Sequence, residues 1–353
     1  MFPPALHAAA PIALPRAVAS CLNPSCVCIC FETYLKSVEI TFDTFPSDYS
    51  AALRLAGTKR FDADYNFNTF PNTTQIPRLI HFIWFKDLYN DTSRPSQIPT
   101  KGSHGPGKCI EFNPSFETKI WNSTEARSLI ATSYPWFLPT YDAYRHPIQR
   151  VDAFKYFLLY HHGGVYVDMD VACRRDLRPL LTMPAWFPKA QPFGVNNDIM
   201  ATRPGHPLFR KMIESLQARD VNLVSPYLTI FWSTGPQFTS DLVKSWWSDQ
   251  RHRYPRYTFD RDAKVMETPY PEEDGIMILP EMFYSEKYTF FGHSPGGTWY
   301  GNDVMVVLWV IDRLWIIAVV AVTGTLGFVA WAQRRRLRSF RKGGHGYKYM
   351  PMA

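Results

Sequence analysis

This chain lacks the cysteine pattern of a metal-stapled or disulfide-built fold. Six cysteines occur in 353 residues, and four of them (Cys21, Cys26, Cys28 and Cys30) fall within the first thirty. Cys26-x-Cys28-x-Cys30 has neither the spacing nor the histidine partners of a zinc site, so metal binding is not expected there. Cys109 and Cys173 are too isolated in sequence to imply a disulfide framework. Acidic residues are missing from 333–353, which carries Arg334, Arg335, Arg336, Arg338, Arg341, Lys342 and Lys348. Those seven side chains equal the net charge of +7 and leave 31 basic residues against 31 acidic ones elsewhere. The pI of about 9.0 therefore describes a tail and not a basic globular face. Nucleic-acid binding loses its main support, and none is expected.

Charge of either sign is missing from residues 314–332 (LWIIAVVAVTGTLGFVAWA), a run of nineteen. As a helix it would be about 28 Å long, close to the hydrocarbon thickness of a bilayer. A buried core helix is the alternative. It is disfavoured because the run is apolar all round and six basic residues follow within ten positions. Trp315 and Trp331 stand at its ends, where interfacial anchors sit. The sequence predicts a transmembrane helix over 314–332 and a basic cytoplasmic tail over 333–353, with the preceding domain in the lumen. A convincing signal peptide is also missing. Pro11 and Pro15 interrupt the first apolar run and Arg16 sits within it. Either residues 1–31 hold a targeting segment of unusual form, or the orientation is reversed. Glycosylation triplets at Asn72, Asn90 and Asn122 favour the lumen, although Asn122 has a competing use as a helix cap.

Aromatic residues make up 16% of the chain and apolar residues 46%, enough to bury a substantial core. Residues 1–75 read as an N-terminal segment and stem without sustained periodicity. Residues 76–303 read as the domain proper. It opens on a strand at 76–84, with His81 a core or pocket histidine, and a loop rich in Pro, Gly and Ser follows at 86–108. A strand at 117–121 leads into a helix over 123–133, for which Asn122 and Glu125 form a capping box. Pro147 opens a second helix to about His161. Gly163 and Gly164 end it, and a strand at 165–168 follows. Further strands are expected at 193–202 and 276–279. Helices are expected at 206–218 and 234–247, and a surface excursion at 248–275. Alternating strands and helices argue for an α/β sheet with parallel strands, whose ligands bind at the carboxyl ends.

Asp168 and Asp170 lie at such an end. Two acids one residue apart, where a strand gives way to a loop, suit a hard divalent cation that keeps positions open for phosphate oxygens. Alone, a D-x-D is weak evidence and is usually a loop or a cap. Asp152 and Lys155 lie on one face of the helix that feeds the glycine pair. Read by themselves they are a surface ion pair worth little.

The segments YPWFLPTYDAYRHPIQRVDAFKYFLLYHHGGVYVDMD, FGVNNDIMATRPGHPLF, PYLTIFWSTGPQF and GGTW, taken in that order, resemble glycosyltransferases with a DXD sugar-binding region. These include the initiation-specific mannosyltransferases of N-glycans and the inositol phosphoceramide mannosyltransferases, and the second group is the more similar. The resemblance covers about residues 76–302. It implies an α/β, GT-A-like, Rossmann-type single domain, with one C-terminal transmembrane helix. It also implies a retaining mannosyltransferase that uses Mn2+ or another divalent cation and moves mannose from GDP-mannose to inositol phosphoceramide in sphingolipid biosynthesis, at the Golgi membrane. A regulatory subunit is a further candidate partner. Asp168 and Asp170 match the metal-binding pair. Asp152 and Trp299 match donor-binding positions, and Lys155 stands where many relatives have arginine, which keeps the charge and loses the bidentate fork. Asn197 and Asp198 match the pair expected to contact sugar or acceptor and are the catalytic candidates, with no nucleophile assigned. His293 and Asn302 or Asp303 are candidates to complete the metal or phosphate site. Two other readings remain: a mannosyltransferase with an N-glycan or protein acceptor, and a membrane scaffold subunit that keeps the fold.

Overall fold

The structure is a computed structural model that describes residues 24–57, 59, 65–67, 74–86, 103–191, 193–223, 225–253, 274–285, 287–293 and 302–343. The chain divides into two compact units, Met1–Thr298 and Trp299–Ala353.

The first unit begins with helices α1 (Pro24–Ser37) and α2 (Ser47–Ala56), before strand β1 (Leu79–Ile83) and the short helix α3 (Pro106–Phe112). Strand β2 (Glu117–Trp121) leads into α4 (Ser123–Ser133), capped as the sequence requires. The Asn122 side chain accepts the Glu125 N–H at 2.8 Å and the Glu125 carboxylate accepts the Asn122 N–H at 3.0 Å. Next come α5 (Leu138–Ala143), α6 (Pro147–His162), β3 (Gly164–Val167), β4 (Val171–Cys173), β5 (Ala185–Pro188) and β6 (Ile199–Thr202). Then follow α7 (Pro207–Ser215), α8 (Pro226–Ser233), α9 (Pro236–Arg253), β7 (Met277–Leu279), α10 (Glu281–Tyr284) and β8 (Phe291–His293).

Six strands form one sheet in the order β2-β1-β3-β6-β5-β7, and β4 pairs with β8 separately. β1 runs parallel to β2 and β3, and β5 parallel to β7. β6 is antiparallel to both β3 and β5. Only residues 189–198 join β5 to β6, too few for the crossover that a parallel pairing needs. The mixed α/β sheet, rich in parallel pairs, fits a GT-A-like fold. Alternate side chains feed two cores. Tyr166, Phe187 and Met200 pack beneath α6, α7 and α9, whereas Val165, Val167, Trp186, Ile199 and Ala201 pack on the opposite face. Residues 151–159 of α6 are all buried, so the middle of the helix is enclosed on every side and shows no solvent face.

Several sequence expectations change. Residues 31–53, expected to belong to a stem, pack into both cores: Phe31 and Leu35 join one, and Phe42, Phe45, Tyr49 and Leu53 the other. The buried guanidinium of Arg175 fastens this segment by donating to the carbonyls of Gly57, Lys59 and Thr289. The strand expected over 193–202 is confined to Ile199–Thr202. The loop expected at 86–108 runs into α3, and α9 continues to Arg253, into the expected surface excursion. Asn72 and Asn90 lie outside the described residues.

His81 is a core histidine. Its Nδ1 accepts the Trp121 indole N–H at 3.0 Å, which leaves Nε2–H to donate to the Gly163 carbonyl at 2.9 Å. Burial lowers its pKa to about 3, so the ring is neutral. That bond holds the turn into β3. Gly163 and Gly164 have φ of 66° and 96°, and a Cβ on Gly164 would lie 2.6 Å from the Leu79 carbonyl oxygen. Only glycine fits there.

The second unit contains α11 (Asn302–Gly343), 42 residues long. Among the described residues no helix is long and apolar enough to cross a membrane. The side chains of 314, 315, 317 and 318, within the uncharged run, lie outside them. From 319 to 331 every side chain is exposed, among them Val320, Leu326, Phe328 and Trp331.

Cys109 and Cys173 form a disulfide across a sequence separation of 64, contrary to the expectation that they stand alone. It ties α3 to β4, immediately after the acidic pair. Closing a loop of that length removes enough chain entropy from the unfolded state to add up to about 4 kcal/mol of stability. Cys109→Ser, or reduction of the native protein, is expected to lower the denaturant midpoint accordingly. Coincident unfolding curves with and without reductant would show that the bond contributes nothing.

Candidate functional site

Sheet register builds the site. β3 and β6 pair from Gly164↔Thr202 to Val167↔Ile199, and the next residues outward are Asp168 and Asp198. The Asp168 N–H donates to the Asp198 carbonyl at 2.8 Å, so two carboxylates distant in sequence share one end of the sheet. The chain turns at once, the Val171 N–H closing on the Asp168 carbonyl at 3.0 Å, and β4 begins. Gly105 abuts this turn: a Cβ there would meet the Met169 carbonyl oxygen at 2.7 Å and that of Val171 at 3.0 Å. The disulfide and this close approach brace the D-x-D turn from the α3 side.

Helix α6 supplies the other half. Lys155 is 3% exposed and Asp152 5%, so the pair is not the surface contact that its spacing alone would suggest. Lys155 Nζ lies 2.9 Å from Asp152 Oδ1 and 3.0 Å from Asp168 Oδ1. It also donates to the Asn197 carbonyl at 3.4 Å and sits 4.9 Å from the centre of the Tyr166 ring. One ammonium therefore links the helix to both acidic strand ends. Burial works against its charge, but Asp152 and Asp168 outweigh burial and hold it well above the ordinary lysine value. Burial raises both carboxyls despite the lysine, and it brings Asp168 to about 6. Asp152 receives further donors: the Asn197 amide at 3.3 Å on Oδ1 and the Thr234 hydroxyl at 3.4 Å on Oδ2.

Asp198 is held by a residue that the sequence reading missed. The Tyr284 hydroxyl, on α10, donates to Asp198 Oδ2. His293 Nε2 lies 3.3 Å from the same oxygen, and Oδ1 accepts the Ile199 N–H at 2.9 Å. Burial, then the Asp198 charge, push the Tyr284 phenol far up, so it remains a donor. Nothing in the FYS context of Tyr284 marks it, and only the fold brings it within reach.

The structure thus gathers Asp152, Lys155, Asp168, Asn197, Asp198 and His293. Asp170 is partly exposed beside them, with no hydrogen-bond partner among the described residues. Trp299 lies outside the described residues. Asn302 and Asp303 open α11, in the second unit. Among the described residues no three His, Cys, Asp or Glu side chains are arranged to hold a metal ion. Two hard carboxylates at a partly exposed turn, one with no hydrogen-bond partner among the described residues, nonetheless fit a divalent cation that takes its remaining ligands from phosphate oxygens and water.

Removing Lys155 would leave two carboxylates without their cation. Lys155→Met is expected to destabilise the fold by about 3–5 kcal/mol, and Lys155→Arg to recover most of that. Calorimetric or denaturant unfolding measures it, and a methionine variant as stable as the native protein would contradict this view of the pair.

Residues 99–188, which contain Asp152, Lys155, Asp168 and Asp170, match the family described as glycosyltransferase sugar-binding region containing DXD motif. The chain is 34% identical over 246 residues to mannosyl phosphorylinositol ceramide synthase SUR1 of Saccharomyces cerevisiae, covering 70% of this chain and 57% of that protein. It is 32% identical over 255 residues to inositol phosphoceramide mannosyltransferase 3 of Schizosaccharomyces pombe, covering 72% and 64%. The chain therefore spans about six tenths of the length of these relatives. A solved structure, PaToxG glycosyltransferase, covers 51% of this chain and 70% of its own at 13% identity and a TM-score of 0.34, a likeness too slight to bear on fold or function. By its D-x-D region and by these relatives, the chain belongs to the DXD-containing glycosyltransferase family.

Proposed function

We propose that this protein is a membrane-bound, metal-dependent mannosyltransferase that moves mannose from GDP-mannose to the inositol of inositol phosphoceramide, with retention at the anomeric carbon. The observation that carries the reading is the meeting of Asp152, Lys155, Asp168 and Asp198 at the carboxyl end of β3. A ligand site is expected there in an open α/β sheet. The names of the relatives support the sugar and the lipid acceptor.

A nucleoside diphosphate leaves readily only when its growing charge is met. A divalent cation, Mn2+ by the family resemblance, would be held by Asp168 and Asp170 and would supply that charge as a Lewis acid. Lys155 fixes Asp168 against Asp152, and so fixes the first carboxylate of the pair. By the family resemblance, Asp152 and Trp299 are assigned to the donor and Asn197 to the sugar or acceptor. Both oxygens of Asp198 are already engaged, by Tyr284 and His293 on one and the Ile199 N–H on the other. A carboxylate so occupied is better suited to orienting than to attacking, which favours front-face transfer over a covalent intermediate.

The exposed apolar length of α11 supports a bilayer span over 314–332, with 333–353 cytoplasmic and the catalytic domain in the Golgi lumen. The Cys109–Cys173 bond supports the lumenal side independently, because disulfides persist in oxidising compartments.

Membranes containing the protein are expected to transfer labelled mannose from GDP-mannose, but not sugars from UDP donors, to added inositol phosphoceramide. Chelation should abolish transfer and Mn2+ restore it, except in Asp168→Ala and Asp170→Ala. Transfer only to a soluble glycan would overturn the lipid assignment. Tyr284→Phe removes a hydrogen bond to a charged group, so kcat should fall roughly tenfold to a hundredfold with the donor KM nearly unchanged. An unaltered kcat would remove Tyr284 from any role in the site.

A further inference from the structure

Residues 221–240 contain no charged side chain, although Asp220 and Asp241 flank them. The middle of this run is α8, whose inner face (Thr229, Ile230 and Ser233) is buried. Its other face is a stripe of two adjacent i, i+4 pairs, Tyr227 with Phe231 and Leu228 with Trp232. The Tyr227 and Phe231 rings stack at 5.7 Å, and Trp232 meets Phe231 edge-on at 5.2 Å. Trp232 is 40% exposed, and Val221 and Leu223, just before the helix, are 39% exposed each. Aromatic side chains with apolar neighbours and no charge form a costly surface to leave in water. They match the boundary between lipid headgroups and hydrocarbon, where Trp and Tyr concentrate.

The helix is fastened to the site. Its last residue, Ser233, accepts from Gln149 Nε2 at 2.9 Å, and the next, Thr234, donates to Asp152. The Thr234 carbonyl accepts the Tyr156 hydroxyl at 2.6 Å. An acceptor with a polar headgroup on hydrocarbon chains poses a geometric demand: the headgroup must reach the site while the chains stay out of water. An apolar face on a helix whose C-terminal end is bonded to the site suits that demand.

We infer that Val221, Leu223, Tyr227, Leu228, Phe231 and Trp232 form a membrane-docking surface, which seats the catalytic domain in the interface of the leaflet that carries the acceptor. This inference rests on the lipid-acceptor reading above. The surface carries no basic residue, so docking is apolar and does not select anionic lipids.

Two measurements on the full-length protein in phosphatidylcholine vesicles test it. In the first, Phe231→Ser/Trp232→Ser is compared with the native protein on bilayer-embedded inositol phosphoceramide and on a short-chain, water-soluble form with the same headgroup. The variant should show a KM at least tenfold higher for the embedded acceptor at unchanged kcat, and values within twofold of native for the soluble one. Equal losses on both acceptors, or none on either, would overturn the docking surface. The second measurement needs no catalysis and no variant. A phospholipid with a photoactivatable acyl chain is activated in the vesicles, and adducts are mapped by mass spectrometry. Adducts within 221–232 are expected. Labelling confined to 314–332, or its absence from 221–232, would overturn the inference. If the native protein mannosylates neither acceptor, the functional reading fails, and the photolabelling still decides the surface.

Discussion

One buried ammonium holds the two halves of the site together. Lys155 comes from the enclosed middle of a helix, and its partners sit on that helix and at the end of β3. A lysine taken out of water costs several kcal/mol unless its charge is matched. The match here is more than complete, with two carboxylates for one cation. The arrangement is therefore stable only in the geometry where all three meet, and that geometry places Asp168 at the mouth of the sheet. A guanidinium in the same place would fork across two oxygens, whereas the lysine acts as a point charge between them.

Everything else at the site arranges backbone around that centre. His81, neutral because it is buried, fixes the turn through the Gly163 carbonyl, and the two glycines allow β3 to pass close to Leu79. β3 then delivers Asp168 opposite Asp198 because β6 returns antiparallel. On the far side of the D-x-D, Gly105 approaches the Met169 carbonyl too closely for any side chain, and the Cys109–Cys173 bond ties down the strand that follows. A cation held by Asp168 and Asp170, as proposed, would depend on such bracing to keep the two carboxylates in register.

What the sequence disclosed was local. The capping box at Asn122, the helix after Pro147, the glycine pair and the acidic triplet are all written within a few residues, and each stands where expected. What it concealed depended on distance. Cys109 and Cys173 are 64 residues apart and show no spacing rule, yet α3 carries one onto the other. Tyr284 lies 86 residues from Asp198 and reaches it through a four-residue helix with no pattern of its own. Residues 31–53 hid because they pack by aromatic edges against two different cores, as Phe42 does on Phe283 and Tyr288, and so show no single period. The sheet was expected to be parallel from the alternation of strands and helices. The short link between β5 and β6 reverses β6, and that reversal is what brings Asp198 to Asp168.

The charge of the assembled site bears on its donor. Asp152, Asp168, Asp170 and Asp198 face one lysine, so the group is strongly negative when ionised. A nucleotide sugar brings a diphosphate of the same sign. Binding the two without a cation would set like charges against each other in a partly buried cleft, where screening by solvent is weak. On the function proposed above, a divalent ion would therefore serve donor binding as well as departure of the diphosphate. Burial is the main cause that brings Asp168 to about 6, and the charges of Asp198 and Asp170 add to it. If the acceptor is the phosphate-bearing lipid proposed above, its charge gains no attraction from this acidic cluster. On that reading the uncharged, aromatic face of α8 would hold such a lipid by its apolar part and leave the inositol headgroup as the end presented to the donor.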